Sequence, residues 1–232
     1  MGLPQRAGQP YRPIRSFVRR EGRITPSQQR ALTRLWPRYG LNAGEQPFDF
    51  AEIFGRRAPC ILEIGFGDGV SLLQQAQAHP ENHYLGIEVH RPGVGRLLHA
   101  MEGAGVENVR VVCEDAVSVL RRNIPDRSLD VVQLFFPDPW PKKRHHKRRI
   151  VQPDFAQLVR SKLRSGGHFH LATDWEEYAQ QMMGVLESTP GYRNTAGRGN
   201  FLPRPDSRPL TKFELRGQRL GHSVRDLIFE RR

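Results

Sequence analysis

The 232-residue sequence predicts an α/β protein built on a mostly parallel sheet, with helices on both faces and a terminal antiparallel hairpin. Three observations carry this prediction. From Cys60 onward, short apolar runs alternate with helix-length segments, the pattern of strands joined by crossover helices. The first run, Cys60-Ile-Leu-Glu-Ile64, opens directly into three glycines on alternate positions, Gly65, Gly67 and Gly69. Two last extended runs, Lys212–Arg216 and Val224–Phe229, follow the final helical segment and read as the closing hairpin.

The elements follow in order. Residues 1–40 hold nine arginines and one acid, Glu21, broken by Pro4, Pro10, Pro13, Pro26 and Pro37. We read residues 1–50 as a basic, partly flexible arm with a short helix near Ser27–Leu35, and residues 51–232 as one folded domain. Its strands are expected at Cys60–Ile64, Tyr84–Val89, Val109–Cys113, Val131–Phe136 and His168–Ala172. Helices are expected at Val70–Ala78, Gly93–Glu102, Val117–Arg122, Asp154–Leu163 and Trp175–Leu186, with a Gly/Pro/Arg-rich loop from Thr189 to Pro209.

Strand, glycine turn and helix make a nucleotide-sized cradle. Glycine permits positive φ and close approach of a ligand, and the helix start turns free N–H groups towards the loop. The spacing is G-x-G-x-G rather than the G-x-G-x-x-G of dinucleotide enzymes, which disfavours a nicotinamide oxidoreductase. It resembles the first motif of S-adenosylmethionine (SAM) methyltransferases, where an acid, here Glu63, lies near the methionine end of the cofactor. In such sheets ligands bind beyond the carboxyl ends of the strands. Those ends carry Glu88, placed for ribose hydroxyls, then Glu114-Asp115, placed for an adenine amino group, then Asp138.

The fourth strand end is Leu134-Phe-Phe-Pro-Asp-Pro-Trp-Pro-Lys-Lys-Arg-His-His-Lys-Arg-Arg149. Pro137, Pro139 and Pro141 fix φ at alternate positions, and we expect them to bias Asp138 and Trp140 towards extended conformations. Six of the eight residues from Lys142 to Arg149 are Lys or Arg. Such runs are often solvated faces or import signals, but this one follows the edge where chemistry is expected, which suits a phosphate clamp.

The set Glu-Ile-Gly-Phe-Gly, Gly-Ile-Glu-Val, Phe-Pro-Asp-Pro-Trp-Pro-Lys-Lys-Arg-His, Ala-Thr-Asp-Trp and Thr-Lys-Phe-Glu resembles the bacterial tRNA (guanine-N7)-methyltransferases, from about Arg15 to the C-terminus. The resemblance implies a Rossmann-like SAM-dependent methyltransferase fold and methylation of the variable-loop guanine conventionally numbered 46. It implies that Glu63, Gly65, Gly67, Gly69, Glu88, Asp115 and Asp138 contact SAM, with Asp138 also catalytic. By the same likeness Lys142, Asp174, Thr211, Lys212, Phe213 and Glu214 hold substrate, and Arg144, His145, His146, Lys147, Arg148 and Arg149 touch RNA. S-adenosylhomocysteine would be the product, and no metal is implied.

The chemistry agrees. Guanine N7 is an acceptor with a free lone pair and no proton to lose, so alignment and stabilisation of the cationic product should suffice. Asp174 has a plainer reading as the cap of the helix beginning near Trp175. Two other readings share the fold: an amino-directed nucleic-acid methyltransferase, disfavoured because Asp138 is not followed by a Pro-Pro pair, and a silent RNA-binding module, disfavoured by the four strand-end acids. A net charge of +12 calls for a polyanionic partner, here tRNA. Cys60 and Cys113 make no zinc spacing and read as buried thiols in a reducing compartment. With no membrane-length apolar run, the expected location is the cytoplasm. Monomer and homodimer are both compatible with this sequence.

Overall fold

A computed structural model of the chain describes residues 23–211, 214–215 and 223–232. Among these, eight strands form one sheet: β1 (Gly40–Leu41), β2 (Cys60–Ile64), β3 (His83–Ile87), β4 (Val109–Val112), β5 (Leu129–Phe135), β6 (Leu163–Thr173), β7 (Tyr192–Asn194) and β8 (Arg225–Arg231). Their order is β1-β4-β3-β2-β5-β6-β8-β7. Pairing is parallel from β1 to β6, and β8 runs antiparallel between β6 and β7. The helices are α1 (Pro26–Tyr39), α2 (Phe50–Phe54), α3 (Val70–Ala78), α4 (Arg91–Ala104), α5 (Ala116–Arg122), α6 (Pro153–Lys162) and α7 (Glu176–Ser188). No helix among the described residues is long and apolar enough to cross a membrane.

The sheet separates two apolar cores because successive side chains on a strand point to opposite faces. Leu62, Leu85, Val132 and Phe169 pack with α5, α6 and α7 through Val119, Leu120, Phe155, Val159, Tyr178 and Met182. Ile61, Tyr84, Val109 and Val111 face the other way, onto α1, α3 and α4. The expected parallel sheet, covered on both faces, is the observed one, and β2 and α3 span the residues expected for them.

Three expectations change. Helix α1 continues past Pro37 to Tyr39, starting from a capping box in which Thr25 and Gln28 exchange side-chain and backbone bonds. Pro37 lies close enough to the helix end that few backbone bonds are lost, while Ala31, Leu32, Leu35 and Tyr39 are buried in the second core. The described part of the basic segment therefore rests on the domain's apolar surface. Strand β6 begins at Leu163 rather than His168, its early residues passing a register shift against Leu129–Val131. Among the described residues the closing antiparallel pair is β8 with Tyr192–Asn194. Glu214 and Leu215 are helical, and Lys212, Phe213 and Arg216 lie outside the described residues.

On the face of β5, β6 and β8 that carries Phe135, His170 and Asp226, the loop after β7 lays down Arg208, which is fully buried. Its Nε and Nη2 donate to Asp226 Oδ1 and Oδ2 at 2.7 and 2.9 Å, and its Nη1 and Nη2 to Glu214 Oε2 and Oε1 at 2.6 and 3.1 Å. His170 Nε2 lies 2.7 Å from Asp226 Oδ1. Burial opposes the guanidinium charge, but the bonds to Glu214 and Asp226 outweigh it and raise its pKa further. Asp226→Asn removes half of this compensation while leaving the shape. It should cost about 3 kcal/mol or more, as breaking a buried pair does, which for a domain of this size lowers the melting temperature by roughly 6–12 °C. A calorimetric shift below about 2 °C would show that the cluster does not need both acids.

Candidate active site

Because β2 to β6 run parallel, their carboxyl ends share one edge of the sheet, and the residues following them meet there. After β2, Gly65, Gly67 and Gly69 all take left-handed backbone, with φ of 72°, 60° and 77°. A side chain at any of them would be strained, which accounts for the alternation. A Cβ on Gly65 or Gly67 would meet nothing within 4 Å, so the loop faces open space. One on Gly69 would come within 2.7 Å of Leu97 on α4.

Helix α4 closes the cradle from beside it. A Cβ at Gly93 would overlap the Gly67 carbonyl oxygen, and one at Gly95 would lie 2.8 Å from the Gln28 carbonyl oxygen of α1. Glu88, just past β3, shapes the loop as well as facing it. Its Oε2 accepts from Gly67 N–H at 2.9 Å, and its Oε1 accepts from Val89 and His90 N–H at 2.7 and 2.9 Å. Asp115 caps α5, accepting from Ser118 N–H at 2.9 Å, and sits partly exposed at the end of β4.

Glu63 is the anomaly of this edge. It is 3% exposed, and its Oε2 is buried without a hydrogen-bond partner. Burial, reinforced by the nearby carboxylates of Glu88 and Asp68, pushes its pKa up to about 8. An orphaned buried carboxyl oxygen beside an open glycine cradle is a vacancy in the local bonding that a cationic ligand group satisfies. The donor set of the cradle, acids and backbone N–H groups without a basic side chain among the residues named, fits a cationic, nucleoside-bearing molecule such as SAM.

The turn after β5 is strained. Phe136 and Trp140, flanking Asp138, have φ of 51° and 45°. Left-handed backbone is uncommon for bulky residues and is doubly disfavoured here, since both precede prolines. The expected extended conformation is therefore wrong for Trp140, and tertiary contacts explain why. The 3-10 helix Lys143–Arg148 folds back so that Arg148 lies over the Trp140 ring at 4.2 Å, with the His145 ring edge-on at 5.9 Å. Phe136 N–H donates to Ala172 O at 2.8 Å, and its ring lies 5.7 Å from the Arg208 guanidinium carbon. Asp138 is exposed between these two fixed points.

The basic run divides by burial. Lys142, Arg144 and Lys147 are exposed, while His145, His146 and Arg148 are partly so. Arg149 is only 2% exposed, which sets it apart from the rest of the run expected to touch RNA. Its Nε donates to Pro139 O at 2.7 Å and its Nη1 to Gln181 Oε1 at 2.5 Å, with Glu177 Oε1 at 3.5 Å. Nothing in the sequence separates it from its neighbours, because burial of one cation in a run is a tertiary property.

Asp174 follows β6 at the same edge, partly exposed. Trp175 is the N-cap residue of α7, with Asp174 immediately before it, and Thr173 Oγ1 accepts from Trp175 N–H at 3.2 Å. Thr211 accepts from Glu214 N–H through its hydroxyl at 3.2 Å and starts a helical turn. Glu214 is 2% exposed with both oxygens on Arg208, so its carboxylate is engaged within the protein rather than open to a base. Lys212 and Phe213 lie outside the described residues. Arg208 itself was missed, since an arginine in a Gly/Pro/Arg-rich loop gives no sign that it is buried.

Residues 57–227 match the family model described as "Putative methyltransferase". Among curated relatives, a tRNA (guanine-N(7)-)-methyltransferase of Klebsiella pneumoniae is 61% identical over 224 residues, covering 97% of this chain and 94% of the relative. The same-named protein of Aeromonas hydrophila is 58% identical over equal shares. Among solved structures, the 16S rRNA methyltransferase KamB superposes with a TM-score of 0.55 at 14% identity, covering 81% of this chain and 96% of that one. That likeness speaks for the fold alone. A family model spanning most of the domain, relatives near 60% identity along almost the whole chain and a methyltransferase fold lead to one assignment: the chain belongs to the tRNA (guanine-N7)-methyltransferase family.

Proposed function

We propose that this protein transfers a methyl group from SAM to N7 of a guanine in tRNA, at the variable-loop position conventionally numbered 46. The observation that carries this reading is the shared edge: an open glycine cradle with an orphaned acid stands beside a rigid turn exposing Asp138, and that turn leads into a cationic run. Bound there, SAM supplies an electrophilic methyl group on a sulfonium centre.

The protein's own residues supply position and charge. Glu63 neutralises positive charge at the deep end of the cradle, the N–H groups at the start of α3 line its floor, and Glu88 and Asp115 accept bonds from a nucleoside. Asp138 faces the methylated base and offsets the positive charge that N7 acquires as its lone pair is used. N7 carries no proton, so the turn needs no base of matched pKa. Asp174 accepts from the Watson–Crick edge of the guanine, a task the engagement of Glu214 with Arg208 leaves to fewer groups. Lys142, Arg144, Lys147 and Arg148 meet backbone phosphates. In regular A-form RNA the N7 edge lies in a groove too deep and narrow for side chains, so the target must be a guanine in an irregular or opened part of the fold.

The Asp138 role is tested by Asp138→Asn, which keeps the shape of the side chain and removes its charge. Turnover under single-turnover conditions should fall about 10²-fold or more, the scale of losing one electrostatic stabiliser. Melting temperature and tRNA affinity should stay near parental. Mapping the methylated nucleoside in the digested tRNA tests the position, and near-parental turnover by a folded Asp138→Asn protein would remove Asp138 from the chemistry.

Glu63 generates a pH prediction. With a folded pKa near 8 it is largely protonated at pH 7. Because this value lies above its unfolded one, its contribution to stability is complete below the unfolded pKa near 4.5 and is lost as pH rises through about 8. A cationic ligand reverses the preference, so binding at pH 7 should release up to about one proton, and affinity should climb with pH and level off above about 8. Calorimetry with SAM in buffers of different ionisation enthalpy measures that proton directly. Glu63→Gln should abolish the release, and a parental protein that binds SAM with no proton exchange at pH 7 would refute the assignment.

A further inference from the structure

We infer that Arg149 is a positioning residue for methyl transfer, a buried brace that sets the Asp138 turn against helix α7, and not an RNA contact. This rests on the reading of Asp138 as the residue facing the methylated base. Arg149 closes the basic run, yet its side chain points inward and is 1% exposed. Its three nitrogens are committed within the protein. Nε holds the carbonyl of Pro139, the residue after Asp138; Nη1 holds Gln181 on α7; and both Nη atoms lie 3.5 Å from Glu177 Oε1. The guanidinium carbon stands 4.9 Å over the Tyr178 ring.

The neighbouring backbone follows the same path. Val151 N–H donates to the Tyr178 hydroxyl at 3.2 Å, and Gln181 Nε2 donates to Val151 O at 3.3 Å. Helix α7 in turn begins two residues after Asp174. Arg149 therefore ties the loop that carries Asp138 to the helix that follows Asp174, two strand ends that meet one substrate base. Pro139 has no N–H and its ring fixes φ, so the carbonyl held by Arg149 is the handle by which this part of the turn can be oriented. The requirement is specific for arginine. A planar fork reaches the carbonyl and the α7 acceptors at once, whereas a lysine ammonium is a point charge on a flexible stem.

That difference supplies the test. Arg149→Lys keeps the charge and loses the fork. As a positioning residue, Arg149→Lys should lower the single-turnover rate about 10²-fold, the size of a roughly 1 Å misplacement. The tRNA dissociation constant should stay within about twofold of parental, with the parental salt slope, because no phosphate contact is lost. Arg148→Ala in the same titration should reduce that slope by about one. Parental turnover in Arg149→Lys, or a lower salt slope in Arg149→Ala, overturns the inference. If Arg149→Lys melts too low to assay, Gln181→Ala removes an acceptor and leaves the arginine: a reduced rate at parental tRNA affinity supports the brace, and a parental rate overturns it. Asp138→Asn run alongside separates the two readings. Loss in Asp138→Asn with parental Arg149→Lys rejects the brace alone, whereas parental rates in both reject the Asp138 role as well.

Discussion

A full positive charge lies beneath the carboxyl edge of the sheet with no access to water, and much of that edge is arranged to meet it. Arg208 is wholly buried and must be compensated within the protein. Asp226 comes from the start of β8, Glu214 from the turn opened by Thr211, and His170 from β6 completes the set. The guanidinium also covers Phe135 and Phe136, where β5 passes into the Asp138 turn. One ion-pair cluster thus fixes four separate chain segments, and the antiparallel strand β8 stands beside β6 where its aspartate can take part.

The turn itself draws on that rigidity. Two bulky residues in left-handed backbone cost of order 1–3 kcal/mol each, and such conformations persist only where the surroundings over-determine them. Three arginines do so from three sides: Arg208 over Phe136, Arg148 over Trp140, and Arg149 on the carbonyl of Pro139. The prolines restrict the turn, but side-chain packing decides which of the restricted shapes it takes. A residue that acts by position and charge benefits from this arrangement, since reorganisation during the reaction would cost rate.

Much of this was legible from residues alone. The strand Cys60–Ile64 and helix Val70–Ala78 could be read to the residue because glycines punctuate the join and each glycine has a backbone reason to be there. The alignment of Glu63, Glu88, Asp115 and Asp138 followed from the parallel sheet, which turns sequence order into a shared edge. What escaped depends on distant partners. Tyr192–Asn194 is a three-residue polar strand inside a loop-like stretch, and only pairing with β8 makes it a strand. Helix α1 outran its proline because α4 offered an apolar surface. Arg149, Arg208 and Glu214 carry the composition of surface residues, and their burial is set by partners 6 to 32 positions away.

Helix α4 begins with two glycines that bring three backbones together: its own first turns touch the glycine loop at Gly67 and helix α1 at Gln28. The start of α1 is thereby fixed beside the cradle, at the edge where the strands end. Helix α1 carries Arg30, Arg34 and Arg38 on its exposed side. The glycines of α4 thus act beyond their own helix, by fixing where the exposed arginines of α1 stand on the domain.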